Sequence, residues 1–121
     1  MLIGHGTFTP GQGHELEGTF TLTQRPDGVL MKASMDFFFD GSPGPGWALS
    51  RGVPSDRDDP LTRQFAAETD FLRLACNQPI RGPHSGLIRP SIDIDAFDTL
   101  FLWCYSIPFI LGVGKITRTD R

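Results

Sequence analysis

Fourteen glycines and ten prolines punctuate a chain of 121 residues. The stretches left between them read as short strands and leave no room for long helical crossovers. Gly and Pro together approach 20% of the chain, against an ordinary usage of roughly 12%. With 39% apolar residues and 21% charged, this describes a folded domain rich in turns. The length suits one domain that buries about two thirds of its unfolded surface.

The periodicity supports an all-β reading. Gly18 to Thr23 alternates, with Phe20 and Leu22 on one face and Thr19, Thr21 and Thr23 on the other. Pro26-Asp27-Gly28 supplies a tight turn. Val29, Met31, Ala33, Met35, Phe37 and Phe39 then share one parity over a second, longer strand. The run Gly41-Ser42-Pro43-Gly44-Pro45-Gly46 interrupts the ladder, and Trp47-Ala48-Leu49-Ser50 resumes it. Arg51 to Pro60 reads as a polar loop, Leu61 to Ala67 as a short helix, and Phe71 to Leu74 as a strand. Asn77 to Pro90 reads as a connection broken by Gly and Pro. Asp98 to Ser106 is apolar on both faces, with Phe101, Trp103 and Tyr105 opposite Leu100, Leu102 and Cys104, which predicts a central strand. Pro108 breaks the chain, and Gly112 to Ile116 forms the last strand. The expected fold is an antiparallel β-sandwich or partly closed barrel with turn-rich connections, in one domain spanning residues 1–121.

Charge and hydropathy exclude some functions. Eleven basic against fourteen acidic residues give a net charge of -3, and the arginines are scattered, so a phosphate-dominated nucleic-acid interface is not expected. Leu100 to Val113 is the longest apolar region and is too short and too interrupted to form a membrane span. The opening Met1 to Gly6 lacks the basic segment, apolar stretch and cleavage site of a signal peptide.

Two cysteines, Cys76 and Cys104, allow one disulfide or two free thiols. A bond between them would close a loop of about 29 residues, worth roughly 3.6 kcal/mol in the chain-entropy account. Metal chemistry lacks a pattern. His5, His14, His84 and the two cysteines have no recognised ligand spacing. Asp56, Asp58 and Asp59 lack the order of a calcium loop. Asp93, Asp95 and Asp98 read as turn-forming acids ahead of the apolar strand, and Glu15 and Glu17 share a face without a visible acid/base partner. Gly112-x-Gly114 is not a dinucleotide fingerprint.

Ordered landmarks along nearly the whole chain resemble the DM13 domain family. They begin with Gly6-Thr7-Phe8 and His14-Glu15-Leu16-Glu17-Gly18-Thr19, and continue through Asp36-Phe37, Gly44-Pro45 and Trp47-Ala48-Leu49-Ser50. Phe71 to Leu74, Gly82 and Ile92-Asp93-Ile94 come next. The most specific block is Phe97 to Cys104, ending in Trp-Cys, with Ile107 to Ile116 behind it. Gly46 stands where the family commonly has Asp. The resemblance implies a small β module that works beside DOMON or cytochrome b561-type redox partners, in an exported or extracytoplasmic setting. It implies electron transfer or redox sensing centred on Cys104; read from the residues, Cys76 is an incidental loop cysteine, a resolving thiol or the disulfide partner of Cys104, and Trp103 and His14 are candidate cofactor contacts with core packing and a turn contact as their alternatives. Any haem or copper would sit in the partner. The alternative is a non-catalytic interaction domain in which Cys104 is a buried structural thiol. No local nucleophile motif, metal box or cofactor cradle marks an independent enzyme active site.

Overall fold

A computed structural model describes residues 1–55 and 59–119. Asp56, Arg57 and Asp58, part of the expected polar loop, lie outside the described residues.

The strands are β1 (Leu2–Pro10), β2 (Leu16–Glu17), β3 (Thr19–Arg25), β4 (Gly28–Ala33), β5 (Phe38–Phe39) and β6 (Pro45–Ser50). After helix α1 (Pro60–Thr69) come β7 (Leu72–Arg73), β8 (Ile80–Arg81), β9 (Ser85–Ile88), β10 (Thr99–Cys104), β11 (Phe109–Lys115) and β12 (Thr117–Arg118). One antiparallel sheet runs in the order β7-β6-β10-β11-β1-β3-β4-β9, with β12 also on β1. A small sheet, β2-β5-β8, lies apart from it. The ends of the large sheet come together where Gly86 of β9 receives the Leu72 and Phe71 side chains of the β7 region; a Cβ on Gly86 would meet Leu72 Cβ at 2.8 Å. Side-chain packing thus closes the barrel where no ladder joins β7 to β9 among the described residues. The expected all-β architecture, a nearly closed antiparallel barrel or sandwich with turn-rich connections, is the one observed.

The strand faces explain the two cores. Leu100, Leu102 and Cys104 of β10 point into the barrel with Trp47 and Leu49 of β6. Phe101, Trp103, Ala48 and Ile110 point outward, beneath Phe65 and Ala66 of α1. The central strand expected at Asp98 to Ser106 is β10, paired along its length with β6 and β11 and buried at every residue. Helix α1 starts one residue before the expected Leu61 and runs two past Ala67. Asp59 caps it by accepting the Leu61 N–H at 3.3 Å and the Thr62 hydroxyl at 3.1 Å, and Pro60 occupies the first turn, where a missing N–H costs nothing.

Three local expectations need correction. The strand read from Val29 to Phe39 breaks after Ala33: a turn at Ser34 to Phe37 is closed by a hydrogen bond from Phe37 N to Ser34 O, and Met35, placed inside by parity, is 86% exposed. The connection read from Asn77 to Pro90 contains β8 and β9, the latter pairing with β4 through Val29↔Ile88. The strand expected from Gly112 to Ile116 is β11, which begins earlier, at Phe109, and carries a bulge at Leu111 opposite the Leu102–Trp103 step of β10.

Aromatic rings fill the barrel. Phe8 stacks on Phe20 at 5.2 Å and on Trp47 at 4.9 Å, and Phe37 stands edge-on to Phe8 at 5.6 Å. The Phe20 ring fits because Gly6 and Gly114 have no side chains; a Cβ at either would come within 2.6 Å of it. Trp47 donates its indole N–H to His84 Nε2 at 3.1 Å, so that nitrogen carries a lone pair, and His84 Nδ1 faces the Gly82 carbonyl at 3.3 Å. Burial lowers the His84 pKa from its ordinary 6.5, opposed by the Gly82 hydrogen bond.

Two measurements check this packing. Gly114→Ala should cost about 1–3 kcal/mol by overpacking the Phe20 ring, read as a lower urea midpoint with an unchanged slope; an unaltered midpoint would show that the ring has room. The unfolded chain takes up the His84 proton at a higher pH than the folded one. Stability is therefore expected to fall as pH drops through 6.5 and to keep falling until the folded ring itself protonates. His84→Gln should flatten that slope in denaturation curves taken on either side of this pH.

Candidate functional site

Cys104 ends β10, and its Cα pairs with Pro45 on one side and Phe109 on the other. The four residues Tyr105 to Pro108 turn the chain into β11. This hairpin loop folds the backbone N–H groups of Ser106 and Ile107 back towards the sulfur, while Gly44 brings a third N–H from across the ladder. Gly44 can approach so closely because it has no side chain: a Cβ there would lie 2.4 Å from Ser106 Oγ. Its carbonyl meanwhile accepts the Tyr105 N–H at 2.7 Å, which locks the loop to the β6 entry.

Ser42 supplies the fourth donor. It is only 7% exposed, and its hydroxyl has no hydrogen-bond partner of any kind, sulfur included, among the described residues. A buried hydroxyl without a partner is costly. Cys104 shares the lining of its pocket, and a thiolate there would be a stronger acceptor for this hydroxyl than a thiol. Burial pushes the Cys104 thiol up, but the Ile107 N–H, the Ser42 hydroxyl and the Gly44 and Ser106 N–H groups together outweigh it and leave the pKa below the ordinary cysteine value.

The sulfur lies beside a pocket of about 260 Å³ lined by His14, Ser42, Pro43, Cys104, Ile107 and Phe109, with Gly41 and Leu111 completing it. His14 is held over the pocket wall by three contacts. Its Nδ1 lies 2.9 Å from Asp40 Oδ1, and its ring stacks on Phe39 at 5.6 Å and leans on Phe109 at 5.8 Å. The β2–β5 pairing, Leu16↔Phe39, and the hydrogen bond from Asp40 N to Glu15 O bring these two loops together. With Nδ1 committed to Asp40, Nε2 is the ring nitrogen left for an occupant.

The residues singled out in the sequence separate into two groups. Cys104 and His14 share the pocket. Trp103 does not: successive residues of a strand face opposite ways, and Trp103 is buried in the outer core, with Tyr105 and Ala66 beside it. Cys76 is exposed and Cys104 buried, and both thiols are free. The register accounts for this separation. The Leu74–Asn77 segment bonds to Pro45 and Ser42 from the side opposite β10, through Leu74 N to Pro45 O at 2.9 Å and Asn77 N to Ser42 O at 2.7 Å. Two strand spacings, roughly 9.5 Å, thus separate the outer segments, beyond the roughly 7 Å that a disulfide spans.

The remaining candidates do structural work. Asp98 accepts the Gly52 N–H at 2.7 Å and the Thr99 hydroxyl at 2.9 Å, Asp93 caps the turn at Asp95, and Asp95 pairs with Arg118 at 3.7 Å. Glu15 and Glu17 line a wide open groove with Asp36 and Arg81. His5 lies exposed on β1, and His84 is the core acceptor described above. At Gly46 the space a side chain would fill is taken by Arg73 and Tyr105, each 2.8 Å from a Cβ built there. No group of three or more His, Cys, Asp or Glu side chains is placed to hold a metal among the described residues. The sequence reading missed Ser42, Gly44, Ser106 and Ile107. Gly44 and Ile107 entered it only as landmarks of the resemblance, without a role, and only the Cys104↔Pro45 register brings the four towards the sulfur.

No family model, curated protein or solved structure matches this chain.

Replacing Ser42 by Ala removes a donor that strengthens when the sulfur is charged. The pH at which Cys104 becomes half-reactive towards iodoacetamide should therefore move up by about one unit, the worth of one charge-assisted hydrogen bond. An unmoved midpoint would mean that the hydroxyl does not face the sulfur.

Proposed function

We propose that this protein is an accessory redox module, serving electron transfer or redox sensing, with the Cys104 thiolate as its working group. One observation carries the reading: Cys104 shares a pocket with a buried Ser42 hydroxyl that has no hydrogen-bond partner among the described residues, and the Ile107, Gly44 and Ser106 N–H groups with that hydroxyl lower the Cys104 pKa against burial. Such a donor set stabilises charge on sulfur, and a thiol that only fills core space gains nothing from it. The resemblance to DM13 domains, which stand beside redox modules, points the same way.

The second reading, an interaction domain with Cys104 as structural packing, draws on the 2% exposure of that residue. Exchange with a small disulfide separates the two. Equilibrated with cystamine and cysteamine, folded protein should form a mixed disulfide at Cys104 faster than at Cys76. The Cys104 adduct should also be the more easily reduced, because a lower-pKa thiol leaves more readily. Intact mass and peptide mapping read both. Modification of Cys104 only after unfolding would favour the interaction domain.

A further inference from the structure

The pocket beside Cys104 is mostly apolar, with a few polar side chains in its lining. Ser42, His14 and Cys104 share its lining with Pro43, Ile107, Phe109 and Leu111. At about 260 Å³ it is smaller than the sites that take drug-sized ligands. Cys104 is 2% exposed, so only a slender reacting group can touch its sulfur. Such an occupant would have a small apolar body, a narrow electrophilic tip and a leaving atom that needs a proton.

We propose that this pocket takes a small organic hydroperoxide, which oxidises Cys104 to a sulfenic acid. The inference rests on the reading of Cys104 as a redox thiolate and names the oxidant class for it. The thiolate attacks the outer peroxide oxygen: the S–O bond forms as the O–O bond breaks, and sulfur supplies the electron pair. The hydroxyl carried by that oxygen stays on sulfur. The departing alkoxide takes the Nε2 proton of a protonated His14, whose Nδ1–H remains on Asp40. The products are the Cys104 sulfenic acid, one alcohol and neutral His14. Sulfur is oxidised by two electrons and the peroxide is reduced by two.

The fold also determines the fate of the sulfenic acid. With Cys76 behind the Ser42–Pro45 segment, no second thiol of this chain lies in disulfide reach, so the sulfenic acid persists until an external thiol arrives. Two equivalents of such a thiol return Cys104, releasing water and their own disulfide.

The test uses reduced Cys76→Ser protein, so that one thiol is read, with cumene hydroperoxide and hydrogen peroxide as probes. Intact mass should show one added oxygen, dimedone should trap it on Cys104, and dithiothreitol should reverse it. Reaction with cumene hydroperoxide should exceed that of free cysteine by about 100-fold, an acceleration of the size positioned acid catalysis provides, and should exceed reaction with hydrogen peroxide. Ser42→Ala should slow it about tenfold, as loss of one hydrogen bond to a charged group would. His14→Gln, at the pocket wall, tests the leaving-group proton independently should Ser42→Ala fail to fold, and should return the cumene hydroperoxide rate towards that of free cysteine while leaving cystamine exchange at Cys104 unchanged. A cumene hydroperoxide rate equal to that of free cysteine overturns the proposal, as does a preference for hydrogen peroxide. Fast cystamine exchange at Cys104 in the same sample would then leave the redox-thiolate reading standing, whereas inertness to both reagents would remove both.

Discussion

The pairing of β10 with β6 on one side and β11 on the other supports everything at the Cys104 end of this protein. Six consecutive residues, Thr99 to Cys104, are matched to Ser50 through Pro45 and again to Lys115 through Phe109. Both faces of the strand are buried, the inner one against Trp47 and Leu49 and the outer one under α1. A strand held this way cannot slip by one residue without exchanging the two faces. Cys104 therefore has a fixed position, and the Tyr105–Pro108 turn and the Ser42–Gly44 segment have a fixed sulfur to close on.

The barrel interior uses a related constraint. Large rings occupy one side of the cavity because glycines occupy the other: Gly6 and Gly114 admit Phe20, and Gly112 admits Leu16, whose Cδ2 would lie 2.1 Å from a Cβ there. Leu16 anchors the small β2-β5-β8 sheet to the barrel, and that sheet carries His14 and Asp40 on its flanking loops. Core packing and site geometry are thus one arrangement. The same strand β11 that makes room for Leu16 also supplies Phe109 and Leu111 to the pocket beside the sulfur.

Much of this was legible in the sequence where a side chain announced its own burial. The two parities of Leu100 to Tyr105 are those of a central strand, and the alternation at Phe20 and Leu22 is that of β3. Parity failed at Met35, where a turn closed by backbone hydrogen bonding takes over between buried Ala33 and buried Phe37 and leaves no apolar signature. Strand β9 was hidden because one of its two buried positions is Gly86, which carries no hydropathic signal. At the site, proximity in sequence misled. Trp103 and Cys104 are neighbours in the chain and point to opposite cores, whereas His14 and Cys104 are distant in the chain and share a pocket. The donors on the sulfur are mostly backbone groups, and a backbone N–H leaves no mark in a sequence. Only strand register places them.

The central claim is that the fold stabilises charge on the Cys104 sulfur in spite of its burial. The most direct measurement is the ¹³C chemical shift of Cys104 Cβ, followed across pH in folded protein labelled at cysteine. The account predicts a thiol-to-thiolate transition below the ordinary cysteine value of 9.0. A transition at or above that value would mean that desolvation outweighs the Ile107, Ser42, Gly44 and Ser106 donors, and would reduce Cys104 to a packing residue.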